Sequence, residues 1–302
     1  MAKEMVGMNP TVFTDSAEIP TIRNDAKRTI KDSVFRNLFS QKEYLLQLYQ
    51  ALHPEDKNVT KSDFEYVTLQ NIMINADYND LGFLIGNRLM ILVEAQSTWC
   101  VNIIVRCVMY LAQTWKDYFI RTKQSVYSTT TLNFPEPELY VVYTGDEVIE
   151  KKVIRFSEEF FNGKQVAVEA MVKVITGSND DDILSQYILF AKIVDTQRKL
   201  YPGDSRRAVT EAIRICKNRN ILKSYLEERE KEVVDIMVTL YSQEEAVEQY
   251  VISKQFESEI KSAVQSCRDF GKTVTEAISY LMKRFEFSEA RSQKEVEKYW
   301  NL

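Results

Sequence analysis

Asp80-Leu81-Gly82-Phe83-Leu84-Ile85-Gly86-Asn87-Arg88-Leu89-Met90-Ile91-Leu92-Val93-Glu94-Ala95-Gln96 is the stretch on which the reading of this chain turns. Two apolar runs flank Gly86-Asn87, and a Gly-Asn pair in that setting signals a hairpin. The second run is apolar at odd and even positions alike, from Leu89 to Val93. A strand without a polar face is predicted to lie inside a sheet covered on both sides. Glu94 therefore stands out, because a buried ionised carboxylate is costly unless it is paired or holds a metal. Asp80 opens the neighbouring strand. A strict two-residue turn pairs Ile85 with Arg88, and so Asp80 with Val93, which leaves the carboxylates on opposite faces. A three-residue turn or one bulge pairs Asp80 with Glu94 instead, with Gln96 extending from the same face. In that second register, two carboxylates, an amide and waters make a hard oxygen site suited to Mg²⁺ or Mn²⁺.

The flanking sequence alternates between the two periods of secondary structure. Residues 1–24 hold Pro10 and Pro20 without usable periodicity and read as a tail. Helical spacing runs from Asp25 to Leu52 through Val34, Phe35, Leu38, Phe39, Leu45, Leu48 and Tyr49, and His53-Pro54 stops it. Tyr66 to Leu69 and Ile72 to Ile74 read as extended. A long helix is predicted from Ser97 to Arg121, with Val101, Ile104, Val105, Val108, Ala112 and Trp115 on its inner face. Leu139 to Tyr143 is a further buried strand, ended by Thr144-Gly145. Strand, helix and strand around a central apolar sheet make an α/β core. After Asp180 the pattern is almost wholly helical, and Thr273-Val274-Thr275-Glu276 is a capping box.

Composition narrows the chemistry. The chain has 302 residues, a net charge of −5 and one histidine, His53. A His-rich zinc site is excluded, and any Ser-His-Asp or Cys-His mechanism would hang on that one residue. Residues 1–150 carry 14 basic and 19 acidic side chains, while residues 151–302 carry 25 of each. Bulk charge therefore does not hold the protein on nucleic acid, although a local basic face is compatible with the count. Cys100, Cys107, Cys216 and Cys267 have no C-x-x-C spacing and are expected to be free structural thiols. Met1 to Pro10 has no apolar leader run, and no window approaches the ~20 apolar residues of a membrane span, so a cytoplasmic protein without a membrane partner is expected.

Three blocks carry a resemblance: Lys31-Asp32-Ser33-Val34-Phe35-Arg36-Asn37-Leu38-Phe39, then Tyr78-Asn79-Asp80-Leu81, then Leu92-Val93-Glu94-Ala95-Gln96-Ser97-Thr98. An Asp followed by Glu-x-Lys or Glu-x-Gln across a hairpin, with a helix before it and a long helix after, resembles the PD-(D/E)XK nucleases. Within that superfamily the chain is similar to the recombination-promoting nuclease and transposase branch, from Asp25 to about Asp235. The resemblance implies a restriction-endonuclease-like core, a central mixed β-sheet flanked by helices, over 25–200, with a helical C-terminal region over 201–302. It implies a metal-dependent DNA endonuclease that hydrolyses phosphodiesters, associated with recombination or a mobile element. Asp80 and Glu94 would be the metal ligands, Mg²⁺ or Mn²⁺ the cofactor, and DNA the partner; a homodimer is compatible with it. Gln96 would stand in the place of the superfamily's lysine, where an amide can orient water or phosphate but cannot supply a charge. The other class of function is a catalytically silent nuclease-fold protein that binds DNA or another protein.

Further candidates have bland readings beside sharp ones. Asp32 either reaches the site from the first helix or is an N-terminal helix charge. Arg207, Arg214 and Lys217 line one face of the helix from Arg206 to Arg219, opposite Val209, Ala212, Ile213 and Cys216. They contact DNA phosphates or form a solvated face. Arg106, alone in an apolar helix, either faces the cleft toward DNA or pairs with a buried acid. Asp180-Asp181-Asp182 is expected to open the following helix rather than hold a metal.

Overall fold

The computed structural model describes residues 34–67, 69, 80–95, 99–177 and 181–301, except for the side chains of Glu94, Ala95, Glu244 and Glu248. Asp32, Ile72 to Ile74, Gln96 and Asp180 lie outside the described residues. Helices α1 (Val34–Phe39) and α2 (Lys42–Leu52) replace the single helix expected before His53, with a break at Ser40-Gln41. The break lets Phe35, Leu38 and Phe39 point into the same core as Leu45 and Leu48. His53 caps the end of α2, its backbone N–H donating to the Tyr49 carbonyl.

Strands β1 (Phe64–Val67), β2 (Leu81–Ile85), β3 (Arg88–Ala95), β4 (Glu136–Tyr143), β5 (Val153–Arg155) and β6 (Met171–Ile175) form one mixed sheet, in the order β1-β2-β3-β4-β6-β5. β1, β2 and β3 are antiparallel neighbours, and β4 lies parallel to both β3 and β6. The protein is therefore an α/β molecule. Gly86 takes φ +54°, the left-handed geometry that a residue without Cβ adopts freely, and the turn has two residues, Ile85 facing Arg88. Pro137 is tolerated inside β4 because it faces Leu89 of β3, before the pairing of β4 with β6 begins at Tyr140.

Two apolar layers enclose β3. Met90 and Leu92 belong to a core shared with α1, α2, α5 (Ile183–Leu200), α6 (Ser205–Asn218) and the first part of α7 (Lys223–Asp269). Leu89, Ile91 and Val93 belong to the core under α3 (Ile103–Arg121). The first core runs from Val34 to Tyr241, so packing continues across position 200. A third cluster, from Ile260 to Tyr299, joins the end of α7 to α8 (Val274–Phe285) and α9 (Glu289–Tyr299). The Thr273 capping box is present, and Asp182 caps α5 by accepting from the backbone N–H groups of Leu184 and Ser185. β5, β6 and the short helix α4 (Phe156–Phe161) were not anticipated from the sequence.

The first residues of β3 and β4 meet in a polar cluster. Arg88 Nη1 donates to the Tyr49 hydroxyl at 2.7 Å, and that hydroxyl donates to Asp56 at 2.9 Å. Tyr140 donates to Glu138 at 2.6 Å, and Lys173 Nζ lies 3.1 Å from both. His53 Nε2 is 3.3 Å from Glu138. Burial works to raise the Glu138 pKa, but the hydrogen bonds from Tyr140 and Lys173 and the charges nearby outweigh it and hold the carboxyl below its ordinary range. A depressed folded-state pKa contributes stability that is complete above the unfolded value of about 4.3 and is lost as pH falls through the folded value. Glu138→Gln should therefore be less stable than wild type at pH 7, with the gap narrowing as urea unfolding is repeated from about pH 5 toward pH 3. Leu92→Ala, which removes a sealed side chain of β3, should lower the unfolding free energy by about 2–5 kcal/mol, read from the midpoint of urea denaturation.

Candidate functional site

At the open mouth of the hairpin the two strands part company. The β2–β3 ladder ends at Leu81 facing Leu92, and β3 continues with β4 alone, Glu94 facing Val142. The register is that of the strict two-residue turn, so the bulge that would have paired Asp80 with Glu94 is absent and that expectation is corrected. Along an unbroken ladder, position 80 would share its face with Gly82 and Leu84, and position 94 with Met90 and Leu92. Position 94 is still held by β4, opposite Val142 of the first core, while Asp80 meets α3 on the other side, so the two positions stand on opposite faces of the sheet. The carboxyl ends of the parallel strands β3 and β4 open toward this same end of the sheet.

Asp80 is a buried carboxylate, its side chain only 4% exposed, and its Oδ1 lies 3.2 Å from Arg106 Nη2. The Tyr110 hydroxyl also lies against it. Arg106 and Tyr110 sit four residues apart, one turn along α3, so both reach the same point on the sheet. Burial and then the negative charge of Asp80 push the Tyr110 phenol well above its usual range, and the same two causes push the Cys107 thiol up to about 12. Cys107 is thus a protonated packing residue at neutral pH.

The ion pair accounts for a second correction. The buried side of α3 is Ile104, Cys107, Tyr110 and Thr114, whereas Val105, placed on the inner face by the apolar pattern, is 37% exposed. The observed rotation presents Arg106 and Tyr110 to Asp80, and a buried carboxylate without such partners is costlier than an exposed valine. The helix also begins at Ile103 rather than Ser97, after a turn at Val101-Asn102.

Neighbouring groups complete the mouth. Trp99 meets the Tyr143 ring edge-on at 5.6 Å, where β4 ends. Gly145 follows, and a Cβ there would lie 2.4 Å from the Tyr143 hydroxyl, which accepts from the Glu147 backbone N–H at 3.3 Å. Glycine is thus required for the chain to fold back over Tyr143.

The basic residues of α6 are engaged inside the protein. Arg214 forks onto Glu211 at 2.6 and 2.9 Å, Lys217 pairs with Glu230 of α7 at 2.6 Å, and Arg207 stacks 4.4 Å above the Tyr201 ring. The face is as expected, with Val209, Ala212, Ile213 and Cys216 buried opposite, and the charges of Arg214 and Lys217 are met by acidic partners. All four cysteines are free, with Cys100 exposed and the others buried. Among the described residues, no three His, Cys, Asp or Glu side chains form a metal cluster, and no helix is long and apolar enough to cross a membrane.

No family model, curated protein or solved structure matches the chain.

The role of Tyr110 was missed because a tyrosine in an apolar helix reads as core. The available signal was its i, i+4 spacing from Arg106. Asp80→Asn removes the negative partner and leaves the guanidinium partly buried, so it should destabilise the metal-free protein by about 2 kcal/mol. Combining it with Arg106→Gln should cost less than the sum of the two single changes, by about 0.5–3 kcal/mol, in a urea double-mutant cycle with EDTA present.

Proposed function

We propose that the chain is a metal-dependent DNA endonuclease with a restriction-endonuclease-like core, its site lying at the open mouth of the β2–β3 hairpin. The observation that carries this reading is Asp80, a buried carboxylate that precedes β2 at the same end of the sheet as the Glu94-Ala95 end of β3. A mixed sheet flanked by helices, with helices before the hairpin and a long helix after it, is the arrangement that the resemblance to PD-(D/E)XK nucleases implies.

Asp80 supplies hard oxygen donors of the kind Mg²⁺ or Mn²⁺ prefers, and Glu94 would add a second carboxylate. The Asp80 carboxylate is paired with Arg106 at 3.2 Å, so a dication there would have to displace the guanidinium. A divalent ion held there would activate water and offset charge developing at a phosphodiester. Tyr110 would keep the Asp80 carboxylate oriented through its hydroxyl, Gln96 would orient water or phosphate through its amide, and Asp32 is a further acid to test. DNA is the proposed substrate, and association with recombination or a mobile element belongs to the same reading.

A catalytically silent module that binds DNA or protein is the second reading. It is favoured by the Asp80–Arg106 ion pair and by the internal pairing of Arg214 and Lys217. Nicking of supercoiled plasmid separates the two. The nuclease reading expects nicking in Mg²⁺ or Mn²⁺, none in EDTA, and losses of at least about 100-fold for Asp80→Ala and Glu94→Ala. Wild-type nicking no higher than background, or equal nicking by both variants, would leave the silent module.

A further inference from the structure

His53 is the chain's one histidine, and at the closed end of the hairpin its side chain is only 8% exposed. A carboxylate stands at each ring nitrogen: Glu55 Oε1 is 3.0 Å from Nδ1, and Glu138 Oε2 is 3.3 Å from Nε2. A neutral imidazole carries one N–H and turns a lone pair to whatever meets its other nitrogen, whereas an imidazolium donates from both. Only the protonated ring therefore satisfies both carboxylates. The surrounding groups come from every element packed against the ring. Tyr49 of α2 stacks on it at 4.8 Å, and Arg88 of β3 places Nη1 3.3 Å from Nδ1. Tyr140 of β4 places its hydroxyl 3.4 Å from Nε2, and Lys173 of β6 reaches Glu138 at 3.1 Å. Asp56 adds a third carboxylate, 4.0 Å from Arg88. With Glu55, Asp56 and Glu138 ionised against Arg88 and Lys173, the cluster holds one net negative charge around a neutral ring and none around an imidazolium.

The two ring forms sort these partners differently. A neutral ring donates from Nε2 to Glu138 and accepts from Arg88 at Nδ1, which leaves Glu55 facing a lone pair. A protonated ring donates from Nδ1 to Glu55, while Arg88 keeps the Tyr49 hydroxyl at 2.7 Å. Burial and the charges of Arg88 and Lys173 oppose the imidazolium, and the three carboxylates favour it. Glu55 belongs to the segment between α2 and β1 and is itself 67% exposed, so its hold on the ring is what the proton changes. We propose that His53 is a pH-sensitive latch: as the pH falls through the range in which histidine titrates, the ring takes up a proton and ties Glu55, and with it residues 54–60, to the start of β4. This end of the sheet is opposite the Asp80 end, and the latch does not depend on the nuclease reading.

A single histidine makes the test direct. In the full chain labelled with ¹³C-histidine and ¹⁵N, NMR follows one imidazole signal and the amides of residues 54–60 from about pH 8 to pH 5. The wild-type ring should titrate within that range, and the amides of Glu55 and Asp56 should move with the same midpoint. Glu138→Gln should lower the ring's midpoint by about one unit, and Glu55→Gln by about half a unit, its exposed carboxylate being better screened. In Glu55→Gln the amides should also lose most of their response to the ring. Glu55→Gln alters an exposed side chain and carries the test if Glu138→Gln does not fold. A ring that keeps one charge state throughout, or a midpoint unmoved by Glu55→Gln, overturns the latch. So do wild-type amides that ignore the ring's transition. Plasmid nicking has no part in these readouts, so failure of the nuclease reading and failure of the latch are told apart.

Discussion

From Leu89 to Val93, β3 is closed to solvent on both faces, held between the layer under α3 and the layer formed by α1, α2, α5, α6 and α7. A strand in that position has no outlet for a polar side chain along its length, because burying one without partners costs several times what a typical net hydrogen bond returns. Polar chemistry is therefore confined to the strand's two ends. At the start, Arg88 joins Tyr49, Asp56 and Glu138 in one cluster. At the far end, Asp80 opens β2 beside Arg106 and Tyr110 of α3, where β3 runs on to Glu94. The two clusters differ in exposure. Near Glu138 several cations and hydroxyls surround a half-buried carboxylate, whereas Asp80 is sealed and its partner Arg106 is the more exposed of the pair.

The same burial governs the helix that covers the sheet. α3 has ample apolar side chains for a purely hydrophobic contact, yet it is rotated so that Val105 is partly open and Tyr110 faces inward. Formal charge behaves similarly over the whole chain. The net −5 describes no particular surface, because Arg214 and Lys217 of α6 are answered by Glu211 and Glu230, and Asp80 by Arg106.

Elements whose signals are local and strong were legible in the sequence. Gly86-Asn87 between apolar runs gave the hairpin, the unbroken run to Val93 gave the central strand, and Asp182 and Thr273 marked helix starts. β6 carried a fair signal, Met171-Val172-Lys173-Val174-Ile175 alternating about a lysine, but it lay within a stretch without a second strand long enough to frame it. β5 has three residues and exists because β6 pairs with it. The break between α1 and α2 left no mark, since Ser40-Gln41 lies within an apolar spacing that one helix could also satisfy.

By itself the sequence determined the class of fold, the central strand, the shortage of nitrogen and sulfur ligands, and the identity of the carboxylates at the hairpin's open end. These follow from side-chain type and from periods of two and 3.6 residues, which any short window contains. Only the tertiary structure decided the hairpin register and the partner of Asp80. The sequence allowed both a strict turn and a bulge, and the choice rests on which side chains the two apolar layers accept. Arg106 lies 26 positions from Asp80 and meets it only because α3 crosses the sheet at one rotation. That rotation balances a buried charge against apolar area, two quantities that exist only once the layers have come together.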